Sequence, residues 1–418
     1  MNKDVTSQPA FKTKDVMPSS GHVHIIGAGP VGLFLTALLQ PIEGYSITLY
    51  EKRKTYSRTR MVKLASYLTA DSIESYCADN IDKENIGAIF DQEELLDAIA
   101  FRQAIPSDLM SLLQEWIQGF CPLKSIEESL SQLIDARKSN PVERIETNLK
   151  VEAAMDLIEP GDILIDCSGC KSLFRDHLAF GPDSGIMDAN TYNLKLEYAV
   201  IITFVYSQAY SCNEYCKYYK NAENMSYKFI PAVDRTSYDG NISYVSGIVN
   251  ITPEDYEAMP PKFDGEYLRA NFPDVARSMD RFIDKIKQET NGEIVGDLEV
   301  VRIPLNLYRA RNNTNRHWIA NGANGHPFTN SPVFLVGDSA VGSPYFQSIS
   351  LGFESAMYLA GLMTQRDQPL SEIFQQYEQY MYKQWLRVYT RSKLIKHNKD
   401  LFEAIDDPFK LLELLHIY

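Results

Sequence analysis

The chain has 418 residues, 44% hydrophobic and 23% charged, and its 55 acidic against 41 basic side chains give a net charge of −14. That length buries a core large enough for two intimately joined domains, while the negative charge excludes nucleic acid or an anionic membrane as a whole-surface partner. No apolar run is long enough to span a bilayer, so no transmembrane segment is expected.

Residues 1–20 are polar, lack the apolar core of a signal peptide and read as a flexible lead-in. The six cysteines (Cys77, Cys121, Cys167, Cys170, Cys212 and Cys216) are dispersed, which predicts reduced thiols and a cytoplasmic setting. Cys167 and Cys170 have redox or zinc spacing, but no second pair completes a metal set, so no metal site is expected.

Residues 22–39 carry the first strong signal. A run of β-favouring residues (Val23, Ile25, Ile26) leads into Gly27-Ala28-Gly29-Pro30-Val31-Gly32 and then a helical pattern through Leu39. A second apolar run ends on Glu51, about twenty residues beyond the last glycine, followed by Lys52. This is the strand, glycine loop, helix, strand and acid of a dinucleotide site. Gly27 permits the tight turn, Gly29 lets a pyrophosphate approach the backbone, and Gly32 lets helix and strand pack closely. The helix N-terminus offers free N–H groups to the phosphate, and Glu51 accepts from ribose hydroxyls.

Arg53, Arg58 and Arg60 follow the acid, where basic residues reach a pyrophosphate or a reduced flavin's charge, or are simply solvated. Acidic helical segments run to about residue 100. Residues 99–119 predict a strand end and then a helix capped by Ser107 or Asp108, burying Leu109, Leu112, Leu113 and Trp116. Arg102 and Gln103 at that junction point toward a bound cofactor, and 125–157 give a further helix and a short strand. Ile163 to Ile165 form a buried strand that ends in small residues (Ser168, Gly169), before Ser172 and Arg175; such an ending leaves room for a ligand.

Residues 185–310 change character. Strand-like stretches at 198–206 and 242–251 alternate with polar loops rich in tyrosine, with one helix at 273–288. They predict a mainly antiparallel sheet inserted into the dinucleotide scaffold. Its tyrosines (Tyr192, Tyr198, Tyr206, Tyr215, Tyr218, Tyr219) suit either an aromatic pocket or a half-buried sheet. Strand Val333 to Val336 then ends in Gly337-Asp338, and a loop with Pro344 opens a long helix capped by Ser348 or Ser350. An acid at that strand end takes a ribityl or ribose hydroxyl, while the helix dipole stabilises negative charge. The chain from 370 on is helical and amphipathic.

These blocks (GAGPVG with Glu51, then IDCSGCKSLFR, then VGDS) resemble the flavoprotein monooxygenases of the p-hydroxybenzoate hydroxylase type, in family order and spacing. The resemblance implies an α/β fold: a Rossmann-like FAD-binding domain (21–184 and 311–365), an inserted antiparallel substrate domain (185–310) and C-terminal helices (366–418). It implies FAD along the first motif, with adenosine on Glu51, the ribityl chain near Asp338 and the helix after Pro344 aimed at the flavin. NAD(P)H reduces the flavin in such enzymes, and O2 then forms a flavin C4a-hydroperoxide. The substrate is a small molecule, aromatic ones included, or a protein side chain. EKRKTYSR and LVGDS are also similar to the monooxygenase domain of MICAL proteins, which oxidise methionines of actin. Ser168-Gly169 stands where the family has Asp-Gly, and Thr59-Arg60 where MICAL has an asparagine pair. The segment from Ser343 to Ser350 has some likeness to flavin-dependent halogenases, but their Trp-x-Trp-x-Ile-Pro segment is absent. Candidate catalytic groups are Arg58, Arg60 and Tyr345. A flavin-dependent reductase or dehydrogenase, a halogenase-like enzyme and a non-catalytic flavin-fold binding protein are the alternatives.

Overall fold

The computed structural model describes residues 17, 20–56, 58, 60–78, 89–159, 161–175, 191–210, 226–233, 242–315, 331–343, 348–365 and 368–404. The first half contains β1 (Gly21–Ile26), α1 (Pro30–Leu39), β2 (Tyr45–Glu51), β3 (Met61–Lys63), α2 (Ile73–Ala78), α3 (Gln92–Gln103), α4 (Ser107–Trp116), β4 (Phe120–Pro122), α5 (Leu123–Ala136), β5 (Glu143–Glu146), α6 (Val151–Leu157) and β6 (Ile163–Asp166). The second contains β7 (Thr191–Tyr206), β8 (Phe229–Val233), β9 (Ser243–Ile251), α7 (Pro253–Ala258), β10 (Lys262–Asp264), α8 (Gly265–Asn271), α9 (Pro273–Thr290), β11 (Ile294–Ala310), β12 (Thr314–Asn315), β13 (Val333–Leu335), β14 (Val341–Gly342), α10 (Ser348–Thr364) and α11 (Leu370–Ala404).

Two sheets carry the fold. In the first, β13, β6, β1, β2 and β5 run parallel in that order, with β12 antiparallel outside β13. The chain builds outward from β1 to β2 and β5, then returns to place β6 on the other side of β1. The sheet's growth therefore reverses between β1 and β6, and a crevice opens at their carboxyl ends. Val23 and Ile25 alternate with His22 and His24 along β1, so one face is apolar and the other polar. On the polar face buried His24 meets the Tyr50 hydroxyl at 2.9 Å and Asp162 at 3.2 Å, and burial lowers its pKa.

The second sheet is antiparallel, in the order β10-β11-β7-β9-β8, with β14 added to β11. Alternation splits its faces. Val200, Ile202, Phe204 and Tyr206 pack against Ala276, Met279, Phe282 and Ile286 of α9, while Ala199, Ile248 and Leu305 form an apolar cluster on the opposite face.

Helix α10 joins these parts. It is buried on all sides from Ile349 to Met363 and apolar around its whole circumference, as an internal helix must be. Phe353 stacks on Phe34 of α1 with centroids 4.0 Å apart, and Tyr358 on Tyr380 of α11 at 3.7 Å. Among those apolar residues sits one acid, Glu354, fully buried. It accepts from Tyr76 (2.5 Å), Tyr380 (2.8 Å), Arg102 (3.3 Å) and Arg387 (3.1 Å). Burial opposes its ionisation, but Arg387 and Arg102 outweigh that and hold its pKa down to about 2.

The structure corrects three local expectations. Residues 99–103 are the end of helix α3 rather than a strand, because the Asp91 side chain and Glu94 form a capping box that starts the helix upstream. Pro106 occupies the cap position of α4, so Ser107 lies inside the helix. Ser350 lies in the first turn of α10, where its hydroxyl accepts the Ala65 N–H at 3.0 Å instead of capping the helix. Pro344, Tyr345, Tyr215, Tyr218 and Tyr219 lie outside the described residues.

Candidate cofactor-binding cleft

A cleft of about 420 Å³ opens at the carboxyl ends of β1, β2 and β6. Its floor is the glycine loop between β1 and α1, and each glycine there has a different surrounding. Gly27 has φ of +96°, and a Cβ on it would stand 2.7 Å from the Cys167 carbonyl oxygen. A Cβ on Gly32 would stand 1.9 Å from the Gly27 carbonyl oxygen. Gly29 has ordinary extended backbone, and its Cβ would meet only Arg58 Nη2, at 3.6 Å. The first two positions are closed by the protein's own backbone. The third faces open cleft.

Pro30 starts α1, where the missing N–H is harmless, and no acidic side chain sits in the helix's first turn. The N-terminus is left free to meet an anion. Ala28 turns its N–H instead to Glu51 Oε2, at 2.9 Å. Glu51, at the end of β2, also accepts from the Arg53 backbone N–H (2.9 Å) and from its Nε (3.0 Å) and Nη2 (3.1 Å). Burial would raise the Glu51 pKa, but the Arg53 bonds prevail and lower it, so the carboxylate is ionised at neutral pH. Lys52, Arg53, Arg58 and Arg60 line the same cleft.

The second wall is the turn after β6. Asp166, fully buried, accepts the Ser168 N–H at 2.8 Å and the Ser172 hydroxyl, and Ser172 Oγ in turn accepts the Arg175 N–H at 2.9 Å. Burial raises the Asp166 pKa against these donors. Arg175 Nη2 donates to the Cys170 carbonyl at 2.9 Å, closing the turn, and Gly169 takes φ of +92°. The acid of this loop is thus the strand's last residue, and Ser168 and Gly169 are left at the cleft surface. Cys167 and Cys170 are free thiols, and no cluster of metal-ligating side chains occurs among the described residues.

The third wall is the Gly337-Asp338 turn after β13. Gly337 has φ of +68° and packs on Val31, which also fits against Gly352 of α10. Asp338 projects into the cleft, and its backbone carbonyl accepts the Tyr308 hydroxyl at 2.6 Å, which ties the turn to β11. Burial raises the Asp338 carboxyl to about 6, with Arg60 and Arg58 pulling the other way.

Arg102 does not reach the cleft. Fully buried in α3, it donates to the Tyr67 and Ala98 carbonyls and to Glu354, so its place is the core. Ser350 also stays behind the cleft wall. Sequence reasoning missed Glu127 of α5, which is wholly buried and pairs with Arg58 and, at 3.5 Å, with Arg53. The signal was present: Leu123, Ile126, Leu130 and Ile134 mark the buried stripe of that helix, and Glu127 falls on it.

The sequence matches no family model and no curated protein. Among solved structures it is similar to CtdE in complex with FAD and a substrate, with 13% identity over 93% of this chain and 91% of that one and a TM-score of 0.53. It is also similar to tetracycline destructase Tet(51) (14% identity, 95% and 96% coverage, TM-score 0.49) and to the anhydrotetracycline hydroxylase OxyS from Streptomyces rimosus (14%, 95% and 73%, 0.47). At such identities the likeness speaks for architecture. The chain has the mixed α/β fold, with a mainly parallel and an antiparallel large sheet, in which CtdE holds FAD.

Proposed function

We propose that this chain is an FAD-dependent oxidoreductase, specifically an NAD(P)H-using monooxygenase that acts on a small organic molecule, aromatic ones included, or on a protein side chain. The observation that carries the reading is the convergence of three separate parts of the chain on one cleft. Open space over Gly29 at a helix N-terminus suits a pyrophosphate, ionised Glu51 suits a ribose diol, and Asp338 suits a ribityl hydroxyl. The solved FAD complex of CtdE supports the same cofactor.

Bound there, FAD would supply two-electron redox chemistry and the activation of O2. The chain's own work is then positional. The Gly27 to Gly32 loop and Arg58 would seat the pyrophosphate, and Ser168 and Gly169 would border it. Asp338, anchored through Tyr308, would fix the ribityl chain. Arg60, which lines the cleft and interacts electrostatically with Asp338, would be one of the cations able to respond to charge on the flavin.

The absorbance spectrum of purified protein tests this, before and after NADPH. Flavin bands that bleach with NADPH, with O2 uptake that rises with substrate, are the expected result. Protein that carries no flavin and takes up none on addition of FAD overturns the proposal. Asp338→Asn adds a linked expectation. A carboxyl whose folded pKa of about 6 exceeds its ordinary 3.8 costs stability as pH rises through that interval. The variant should therefore gain about 2 kcal/mol at pH 7.5 relative to pH 4 in apo-protein melts, while binding FAD more weakly. Equal loss of stability at both pH values would contradict it.

A further inference from the structure

Glu51 is fully subscribed. A carboxylate offers about four lone-pair sites, and here Ala28 N, Arg53 N, Arg53 Nε and Arg53 Nη2 fill them. Two ribose hydroxyls need two of those sites. The backbone amides are fixed by the β2 end and the glycine loop, so the donors that must leave belong to the Arg53 guanidinium.

The place for that guanidinium to go is visible. Glu127 Oε1 already lies 3.5 Å from Arg53 Nη2 and accepts from Arg58. Its Oε2 is buried and has no hydrogen-bond partner among the described residues. A wholly buried carboxylate with one oxygen unused is costly unless a partner arrives. Burial already raises its pKa against the pull of Arg58 and Arg53.

We propose that Glu127 is a positioning residue of the adenosine end of the cleft: when ribose hydroxyls take Glu51, the Arg53 guanidinium swings from Glu51 onto Glu127 Oε2. Arg53 thus covers the acid in the absence of nucleotide and is parked on a second, buried acid in its presence, so that the guanidinium itself always faces a carboxylate. Arg58 stays on Glu127 Oε1, beside the open face of Gly29. This rests on the reading of the cleft as an FAD site.

The test is a set of FAD titrations followed by flavin fluorescence. Glu127→Gln keeps an oxygen for Arg58 but removes the charge that receives Arg53, and should raise the FAD dissociation constant about tenfold. In an Arg53→Met background the same change should have less than about a twofold effect, whereas in an Arg58→Met background the tenfold effect should persist. An equal effect of Glu127→Gln in the wild-type and Arg53→Met backgrounds overturns the exchange and leaves the FAD reading intact. Wild-type protein that binds no FAD overturns both. A single cooperative apo-protein melting transition in every background shows that each variant is folded.

Discussion

Replacing Glu354 with Gln is expected to cost about 3–5 kcal/mol of stability, the range for a buried ion pair that loses one partner. Among the described residues Glu354 is the one buried acid paired with Arg102 and Arg387, and all three are almost wholly shielded from water. Neutral glutamine leaves two guanidinium groups in the core with no paired carboxylate among the described residues. The loss should extend across the fold, because α2 (Tyr76), α3 (Arg102), α10 and α11 (Tyr380, Arg387) all meet on that carboxylate.

The same group predicts an acid limb. Its pKa falls from an ordinary 4.5 to about 2 on folding, so its contribution is complete above pH 4.5 and disappears as pH falls toward 2. The difference in unfolding free energy between wild type and Glu354→Gln, from urea titrations at several pH values, should shrink by about 3 kcal/mol over that window. A difference independent of pH would show that Glu354 is not ionised in the folded protein.

This cluster also shows where sequence reading stops. Arg102 reads as a cofactor ligand because it sits at the junction of an expected strand end and a helix, where side chains can point back toward a ligand. Its true partner, Glu354, lies 252 residues away, and no local periodicity reports a contact of that range. Glu127 was hidden for the same reason, its Arg58 partner being 69 residues away, although an acid on an apolar helical stripe was itself a warning. The glycine loop, Glu51 and Asp338 were legible because each is defined by short-range pattern: a strand's alternation, a turn residue, a helix start. The antiparallel sheet was legible as a change of character. Its register and the 17-residue length of β11 depend on bulges between Val295 and Glu299 and between Leu305 and Asn306, which the sequence does not announce.

The separate roles that the loop pattern assigns to Gly29 and Gly32 become opposite consequences of substitution once their surroundings are seen. Gly32→Ala places a methyl group 1.9 Å from the Gly27 carbonyl oxygen, which is backbone and unable to yield without moving the whole loop. That variant should lose more than about 3 kcal/mol of stability, or fail to accumulate in soluble form, with or without FAD. Gly29→Ala meets nothing closer than Arg58 Nη2 at 3.6 Å, and its backbone already lies in a region any residue adopts. Apo-protein carrying it should melt at or slightly above the wild-type temperature, since alanine restricts the unfolded chain. Its methyl group, however, stands where a pyrophosphate must approach the backbone. FAD affinity should therefore fall about 100-fold, measured by fluorescence titration. If Gly29→Ala binds FAD as tightly as wild type, the pyrophosphate does not lie over Gly29. Equal destabilisation by both variants would instead mean that the loop's openness at Gly29 belongs to the fold and not to a ligand. A loss of FAD affinity without a loss of stability would separate what the helix start needs in order to fold from what it needs in order to bind.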